Sequence, residues 1–454
     1  MINIKIDSRK IKPGDTFVAI PGNNVDGHDY VNKAIELGAT KVVIEHDMDV
    51  SVEKIIVEDS NEWLTNYISN TYKNEVNKMN IIGITGTNGK TTSAYLTYQM
   101  LNKLGSKTAY IGTIGFYMPD EDIVELPNTT PNILDLYDLF LEAKEKGCKN
   151  VIMEVSSHAL HQRRVEGLNF KVAAFTNLTQ DHLDYHKTMD DYLAAKQLIL
   201  KQLDGPMIIN SDDESASKWS SKYNNILDYG YKAKDYKINT YEEINNGTLI
   251  NFTYNDKTYK VETNLKSRFN VYNYLTTLSI VNNLGYSIEE IINITADIYP
   301  PKGRCELIKV KDGFAVVDYA HTPDAVEKVV NAFNENKKGR VITLVGCGGD
   351  RDPVKRPIMG RIAVENSDFA ILTSDNPRTE DPAKIMEDIL KGVHKDNYIV
   401  ELDRRSAIKK GLDMVEKDDV LLILGKGHED YQIIGREKIH LDDSEEVRKY
   451  VDSL

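Results

Sequence analysis

Residues Thr85 to Thr92 read TGTNGKTT, directly behind the apolar run NIIGIT (Asn80 to Thr85) and directly ahead of a helical pattern, Ser93 to Leu104. A strand that ends in a glycine-containing turn at a helix N-terminus turns backbone N–H groups toward an anion. Lys90 adds a mobile cation and Thr91 a hydroxyl suited to Mg²⁺, while Gly86, Thr87, Asn88, Gly89 and Thr92 complete a cradle for ATP phosphates. The strict pattern G-x-x-x-x-G-K-[ST] asks for glycine where this chain has Ile84, and Gly86 carries the extra glycine instead. An ordinary glycine-containing strand-to-helix turn is the plain alternative. Further on, the strand Val151 to Met153 delivers Glu154 to its carboxyl end, where nucleotide-binding sheets place a Mg²⁺-holding carboxylate. The plain alternative there is a solvated strand-end glutamate.

The surrounding composition fits such an enzyme. The chain has 454 residues, 41% hydrophobic and 28% charged, enough for real cores and, at roughly 150 residues per domain, for about three domains. Its 56 Lys+Arg against 70 Asp+Glu leave a net charge of −14, which argues against nucleic acid or an anionic membrane surface as partner. A small anion needs only a few local cations. The start, MINIKIDSRK, reads as a strand rather than a signal peptide, and apolar stretches such as Val420 to Leu424 fall far short of the ~20 residues of a membrane span. Cys148, Cys305 and Cys347 are widely spaced and odd in number, against a disulfide framework or a structural zinc site. A reducing cytoplasm is the expected compartment.

Short Val/Ile-rich runs alternate with amphipathic stretches, the pattern of α/β layers with largely parallel sheets. A first unit runs to about Met79, with strands near Ile2 to Ile6, Thr16 to Ile20, Val42 to Glu45 and Ile55 to Glu58, helices near Tyr30 to Leu37 and Asn61 to Tyr72, and a polar linker at Lys73 to Lys78. A second carries the phosphate loop, strands near Thr108 to Ile111, Val172 to Thr176 and Met207 to Asn210, an antiparallel excursion between Asp235 and Glu262, and helices at Phe269 to Leu284 and Ile288 to Ile298. After Pro300-Pro301-Lys302-Gly303, a third begins near Cys305 with strands at Ala315 to Asp318, Val341 to Val345, Phe369 to Thr373, Ile399 to Leu402 and Val420 to Leu424. The expected division is 1–79, 80–304 and 305–454.

The motifs occur in a telling order: TGTNGKTT, NTTP (Asn128 to Pro131), EVSSHAL (Glu154 to Leu160), TNLTQDHLDYH (Thr176 to His186), YLAAK (Tyr192 to Lys196), GR (Gly303-Arg304), DYAHTP (Asp318 to Pro323), GCGGDRD (Gly346 to Asp352), DNPR (Asp375 to Arg378) and GKGHEDYQ (Gly425 to Gln432). Over essentially its whole length the chain resembles the Mur ligases, most closely the member that adds the third amino acid. The resemblance implies a small N-terminal UDP-binding α/β domain, a central P-loop-type parallel-sheet ATPase domain and a C-terminal Rossmann-like domain. It implies transfer of the γ-phosphoryl of ATP to a carboxylate, then attack of an amine on the acyl phosphate to give an amide, ADP and phosphate. The expected substrates are ATP, a UDP-N-acetylmuramoyl dipeptide and meso-diaminopimelate, with Mg²⁺ as cofactor, in a protein that is a monomer.

By the same resemblance, Glu154 and His182 hold metal, and Lys196 does so as a carbamate (N6-carboxylysine); from its helical run alone, Lys196 is an ordinary solvated charge. Asn273 faces adenine, and Arg304, Asp318 and His321 reach the nucleotide. Ile6, Ser8, Asn23, Asn24 and Val25 face the UDP part, whereas Asn128, Thr129, Thr130, Ser156, Gln162 and Arg164 face the muramoyl dipeptide. Many relatives carry an extra stretch before the DSR strand, on which this sequence almost begins, so the resemblance does not extend to uridine contacts made by that stretch. For the added amino acid, Arg378 follows an apolar strand and suits a planar carboxylate, with Arg351 as a second cation. Asp375, Asn376, Pro377, Gly425 and Glu429 complete that pocket. A site built on Arg378 favours meso-diaminopimelate over L-lysine, which lacks the far carboxylate; a surface pair between Arg378 and Glu380 is the plain alternative. The L-lysine-adding ligase, folylpolyglutamate synthase and a nucleotide-switched binding protein are the competing functional readings.

Overall fold

The computed structural model describes residues 2–22, 25–244, 247–335 and 337–454, apart from the side chain of Asp184. Two compact units emerge: Met1–Thr240 with Asn251–Val261 and Tyr272–Ala296, and Tyr241–Ile250 with Glu262–Val271 and Asp297–Leu454. The chain opens with a four-stranded parallel sheet, β1 (Ile4–Lys5), β2 (Thr16–Val18), β3 (Lys41–Ile44) and β4 (Glu53–Ile56), in that order. Successive residues of a strand face opposite sides. Phe17 and Val42 therefore enter one cluster with Val31 and Ala34, while Val18 and Val43 pack with Leu64 and Ile68 of the helix Ser60–Val76. That helix corrects the linker expected at Lys73 to Lys78, because it continues to Val76, which is fully buried. The polar residues of the stretch form its outer face, and Asn77 fastens the end by bonding Gly167 O (2.9 Å) and Asn169 N (2.9 Å).

The central sheet contains β5 (Asn80–Thr85), β6 (Thr108–Gly112), β7 (Gly115–Tyr117), β8 (Asn150–Glu154), β9 (Phe170–Phe175), β10 (Met207–Asn210), β11 (Ile226–Gly230), β12 (Tyr236–Ile244), β13 (Gly247–Tyr254) and β14 (Lys257–Thr263). Its order is β14-β13-β12-β11-β10-β9-β5-β8-β6-β7. β5 lies between β8 and β9, parallel to both, so the phosphate loop, Glu154 and Thr176 leave neighbouring carboxyl ends, the usual ligand side of a parallel sheet. β13 and β14 are joined by Asn255 and Asp256, both at positive φ (48° and 60°), which is the two-residue turn of an antiparallel hairpin and matches the expected excursion.

In the second unit β15 (Glu306–Val310), β16 (Gly313–Asp318), β17 (Val341–Cys347), β18 (Phe369–Ser374), β19 (Tyr398–Val400) and β20 (Val420–Leu424) form a sheet ordered β15-β16-β20-β17-β18-β19. Its pairings are parallel except that of β15 with β16. Alternate residues divide between two cores, Val316 and Leu422 on one face and Val317 and Ile423 on the other, so helices cover both sides. A hairpin, β21 (Tyr431–Ile434) with β22 (Glu437–His440), follows β20.

Candidate active site

The phosphate loop is shaped by residues far along the chain. Thr176 Oγ1 (2.6 Å) and Asn177 Nδ2 (3.1 Å) donate to Asn88 O, and Asn88 N donates to Asn177 Oδ1 (3.0 Å). Thr87 N donates to Asn177 O, and Thr179 N donates to Thr87 Oγ1. The TNLT segment after β9 is thus a template for the loop. Gly86 (φ 141°) and Gly89 (φ 83°) are required twice over, because a Cβ would stand 2.0 Å from Thr176 Oγ1 and 2.4 Å from Asn273 Oδ1 respectively. The second contact brings Asn273 to the loop; it is buried rather than a helix-surface amide. Lys90 Nζ donates to Gly86 O (2.9 Å) and Thr87 O (2.8 Å), and Thr91 and Thr92 are buried in the first helical turn.

Glu154 is completely buried and held from several sides. Its Oε1 accepts from the Tyr110 hydroxyl (2.6 Å) and Thr113 N (2.8 Å), and its Oε2 accepts from the Thr91 hydroxyl (2.9 Å). This overturns the solvated-glutamate alternative. The donor set fits Mg²⁺: two adjacent oxygens of an octahedron at about 2.1 Å from the metal are about 3 Å apart, the spacing of Thr91 Oγ1 and Glu154 Oε2. Among the described residues no three His, Cys, Asp or Glu converge as a metal cage. Mg²⁺ in nucleotide sites is bound largely through phosphate and water, so one carboxylate and one hydroxyl are a suitable protein share.

Lys196 sits on the helix Met189–Gln197, whose N-cap Thr188 accepts from Asp191 N. It is 1% exposed, so the solvated-charge reading is corrected. Its Nζ donates to the same Gly86 O as Lys90 (2.8 Å) and lies 4.2 Å from the centre of the Tyr192 ring. Burial, reinforced by the Lys90 charge, pushes this amine well below the usual lysine range. His182, at φ 54°, is half exposed; its Nε2 is 3.3 Å from Asp181 Oδ2, and its ring lies 4.9 Å from His158 and 6.1 Å from Tyr192.

Several residues assigned to the dipeptide meet beside Glu154. Thr130 Oγ1 donates to Glu154 O (2.9 Å) and accepts from Ser156 N, while Thr129 Oγ1 contacts Thr113 Oγ1 (3.0 Å). Arg164 donates to Thr130 O (2.8 Å) and to Gln162 Oε1. Asn128 is exposed in the same segment. At the N-terminal sheet, Ser8 is buried, Ile6 is half-buried and Val25 is 56% exposed; Asn23 and Asn24 lie outside the described residues.

In the second unit, Asp318 ends β16 and accepts from Cys305 N and Ala320 N (both 2.8 Å). Burial raises its carboxyl above the usual range, against the pull of Arg304. The Arg304 guanidinium lies 4.6 Å from the Tyr319 ring centre, with its Nε buried and without a hydrogen-bond partner among the described residues. The His321 ring is tilted against Tyr319, with ring centres 4.6 Å apart, and desolvation lowers its pKa.

The amino-acid residues also assemble. Arg378 (φ 51°) is fixed through its backbone by β21, its N donating to Ile433 O and its O accepting from Gly435 N. Its Nη1 donates to Gly349 O (2.8 Å), while Nε and Nη2 make no hydrogen bond to the described residues. The surface pair with Glu380 is not formed, since Glu380 binds Arg356 (2.8 Å). Asn376 is buried and donates to Glu429 Oε2 (3.0 Å), Pro377 is buried beside it, and a Cβ on Gly425 would meet Asp375 Oδ2 at 2.7 Å. Arg351 is exposed, turned to Asp350 O.

Sequence reasoning missed Tyr110, Lys426 and Arg404. A tyrosine inside an otherwise apolar strand signals a buried hydroxyl needing a partner, which is how Tyr110 could have been found. Arg404 and Asp443 form a fully buried pair (2.7 Å), and the same guanidinium donates to Leu424 O and Ser374 O. It ties the ends of β18 and β20, the residues just ahead of Asp375 and Gly425.

A phosphate loop, a carboxylate and the loop-templating Thr176 segment at three adjacent carboxyl ends of a parallel sheet, with a buried lysine brought to the loop from a following helix, define a P-loop-type nucleotide-binding α/β enzyme. The chain belongs to the Mur ligase family. Three family models match it: the Mur ligase family catalytic domain at residues 2–85, the Mur ligase middle domain at 84–281, and the Mur ligase glutamate ligase domain at 303–427. It is 42% identical over 461 residues to UDP-N-acetylmuramoyl-L-alanyl-D-glutamate–2,6-diaminopimelate ligase 1 of Clostridium acetobutylicum, covering 100% of this chain and 95% of that one. The ligase of the same name from Fusobacterium nucleatum is 43% identical over 459 residues, covering 99% and 93%. A solved structure of a UDP-N-acetylmuramoyl-L-alanyl-D-glutamate–2,6-diaminopimelate ligase superposes with TM-score 0.71 at 31% identity, covering 99% of this chain and 94% of that one. The ADP complex of the MurF ligase from Thermotoga maritima shares the fold, with TM-score 0.69 at 20% identity and 93% of each chain covered.

Proposed function

We propose that this chain is the ATP-dependent ligase that adds meso-2,6-diaminopimelate to UDP-N-acetylmuramoyl-L-alanyl-D-glutamate, a step in building peptidoglycan precursors. The observation that carries the reading is the convergence of Lys90 and Lys196 on Gly86 O, with Thr91 of the same loop bonded to Glu154, in a chain matched along its length by ligases of that name. The phosphate loop holds ATP while its γ-phosphoryl passes to the dipeptide carboxylate; the amine then displaces phosphate from the acyl phosphate, leaving ADP, phosphate and the amide. Lys90 and the loop amides offset the charge of phosphates and carboxylate, which otherwise repel. Mg²⁺ supplies further charge neutralisation between nucleotide and acceptor, and Thr91, Glu154, His182 and Lys196 are the residues we assign to hold it.

The burial of Lys196 without an ion pair to any described carboxylate supports its carbamylation. A neutral amine adds to CO₂, forming an N–C bond and releasing a proton, and the resulting anion is a metal ligand where the ammonium would repel one. Arg304, Asp318, His321 and Asn273 are assigned to the nucleotide. Ile6, Ser8, Asn23, Asn24 and Val25 are assigned to UDP, and Asn128, Thr129, Thr130, Ser156, Gln162 and Arg164 to the muramoyl dipeptide. Arg351, Arg378, Asp375, Asn376, Pro377, Gly425 and Glu429 are assigned to diaminopimelate. The division at 1–79, 80–304 and 305–454 accompanies this assignment, with the protein acting as a cytoplasmic monomer. Its three cysteines are all buried free thiols, which suits a reducing compartment, and no described helix is long and apolar enough to cross a membrane.

Phosphate release from ATP and Mg²⁺ with the UDP-dipeptide tests the reading when meso-diaminopimelate, L-lysine and no amine are compared. Release is expected with diaminopimelate; equal release in all three would refute the ligase, and preference for lysine would refute the specificity. Tyr110→Phe removes the hydroxyl that orients Glu154 and should weaken the apparent Mg²⁺ affinity about 10-fold in the same assay. An unchanged Mg²⁺ titration curve would show that Glu154 needs no such support.

A further inference from the structure

The loop after β20 contains a charge that the assigned amino-acid contacts do not use. Lys426 is 0% exposed, and its Nζ donates to Glu429 Oε2 (3.0 Å) and Asn376 Oδ1 (3.2 Å), with the Tyr431 ring 5.3 Å away. Asn376 donates to that same Glu429 Oε2 (3.0 Å), and its Oδ1 also accepts from Ile433 N (3.0 Å). One oxygen of Glu429 is therefore taken twice from within the protein. The other, Oε1, makes no hydrogen bond to the described residues, on a side chain that is 18% exposed. A buried ammonium at this distance is felt strongly, because little water screens it.

The remaining charges give this ammonium a role. Asp375 and Glu429 bring two negative charges, and Arg378 and Lys426 bring two positive ones. Arg404 is cancelled by Asp443, Arg351 is exposed and screened by solvent, Arg304 is opposed by Asp318, and burial lowers the His428 imidazole to about 4. Among the described residues Lys426 is the one cation that pairs with Glu429, so that carboxylate is balanced from within the protein only while Lys426 is charged. A ligand end carrying both a carboxylate and an ammonium enters such a pocket without adding net charge, whereas the lone ammonium of L-lysine leaves an unpaired cation beside Arg378.

We propose that Lys426 is a specificity-determining residue: by balancing Glu429, it makes the amino-acid pocket select a diamino acid whose far end is zwitterionic over one whose far end is only cationic. This rests on the ligase reading above and adds a residue that holds Glu429 rather than touching the substrate. A purely structural Lys426 would hold the loop without altering the choice of amine.

Lys426→Met keeps the length and apolar stem and removes the charge. In the folded variant, the ratio of kcat/KM for meso-diaminopimelate to that for L-lysine should fall ~10-fold or more, chiefly through the KM for diaminopimelate, with the KM for ATP unchanged. Lys426→Arg should keep the wild-type ratio. A folded, active Lys426→Met with the wild-type ratio overturns the proposal. Should Lys426→Met not accumulate as folded protein, Glu429→Gln decides, because Lys426 is then unopposed. L-2-aminopimelate, which keeps the far carboxylate and lacks the far ammonium, should then gain about 10-fold on meso-diaminopimelate relative to wild type, and an unchanged order overturns the proposal. Failure of the ligase reading looks different, since wild-type protein would then show no amine-dependent phosphate release.

Discussion

Lys196→Ala is expected to lower ligase turnover by about three orders of magnitude, with part of the loss restored by formate or acetate. The argument starts from burial. An ammonium shut away from water with no carboxylate beside it is costly. Among the described residues the hydrogen bond of Lys196 is to Gly86 O, an acceptor shared with Lys90, and the two like charges repel across it. Such a site favours the neutral amine, the form that takes up CO₂, and the carbamate then meets the Lys90 cation with opposite charge. Removing the side chain leaves a gap beside Tyr192 that a small carboxylate fits, which is why rescue is the diagnostic arm. Turnover measured across a formate and acetate series, with thermal unfolding as the folding control, checks it. Loss without rescue in a folded variant would reduce Lys196 to a packing residue, and full activity would remove it from the site.

Arg378→Ala is expected to cut kcat/KM for meso-diaminopimelate by ~10²–10³, while the KM for ATP changes less than about twofold. The guanidinium is already oriented: Nη1 is tied to Gly349 O, and the backbone is pinned at φ 51° by both strand contacts of β21. Its other N–H groups are left in position for a planar carboxylate, so little rotamer entropy is lost on binding. Alanine keeps the same left-handed backbone, and the unfolding temperature should move little. Steady-state kinetics with each substrate varied in turn would show the effect. An unchanged KM for diaminopimelate would place its far carboxylate elsewhere.

Much of this was legible beforehand because it is local. The phosphate loop is written in eight consecutive residues between a strand and a helix, and Glu154 stands where an apolar run stops, so position alone announces both. Lys196 is the opposite case. Its short helix mixes charged and apolar residues without a clean apolar stripe, and Lys196 packs against Gly86 and Tyr192, of which the first lies 110 residues away. Lys73 to Lys78 misled for a related reason: polar composition describes the outer face of a helix as well as a linker, and the single apolar Val76 was too little to separate them. Lys426 and Arg404 could not be read at all, since each acquires its meaning from partners distant in sequence, Asn376 after β18 in one case and Asp443, Ser374 and Leu424 in the other.

The placing of β5 between β8 and β9 also bears on how the chain acquires its activity. Three contacts that complete the nucleotide site close long loops: Thr91 to Glu154 spans 63 residues, Asn88 to Asn177 spans 89, and Lys196 to Gly86 spans 110. Closure of such loops costs entropy before any contact rewards it, so parallel pairings of this kind form late and slowly. Nucleotide affinity should therefore emerge only as the central sheet is completed. On a ribosome, no chain that stops short of Lys196 can hold ATP in the finished geometry, which makes ATP binding a reporter of long-range closure in the central sheet.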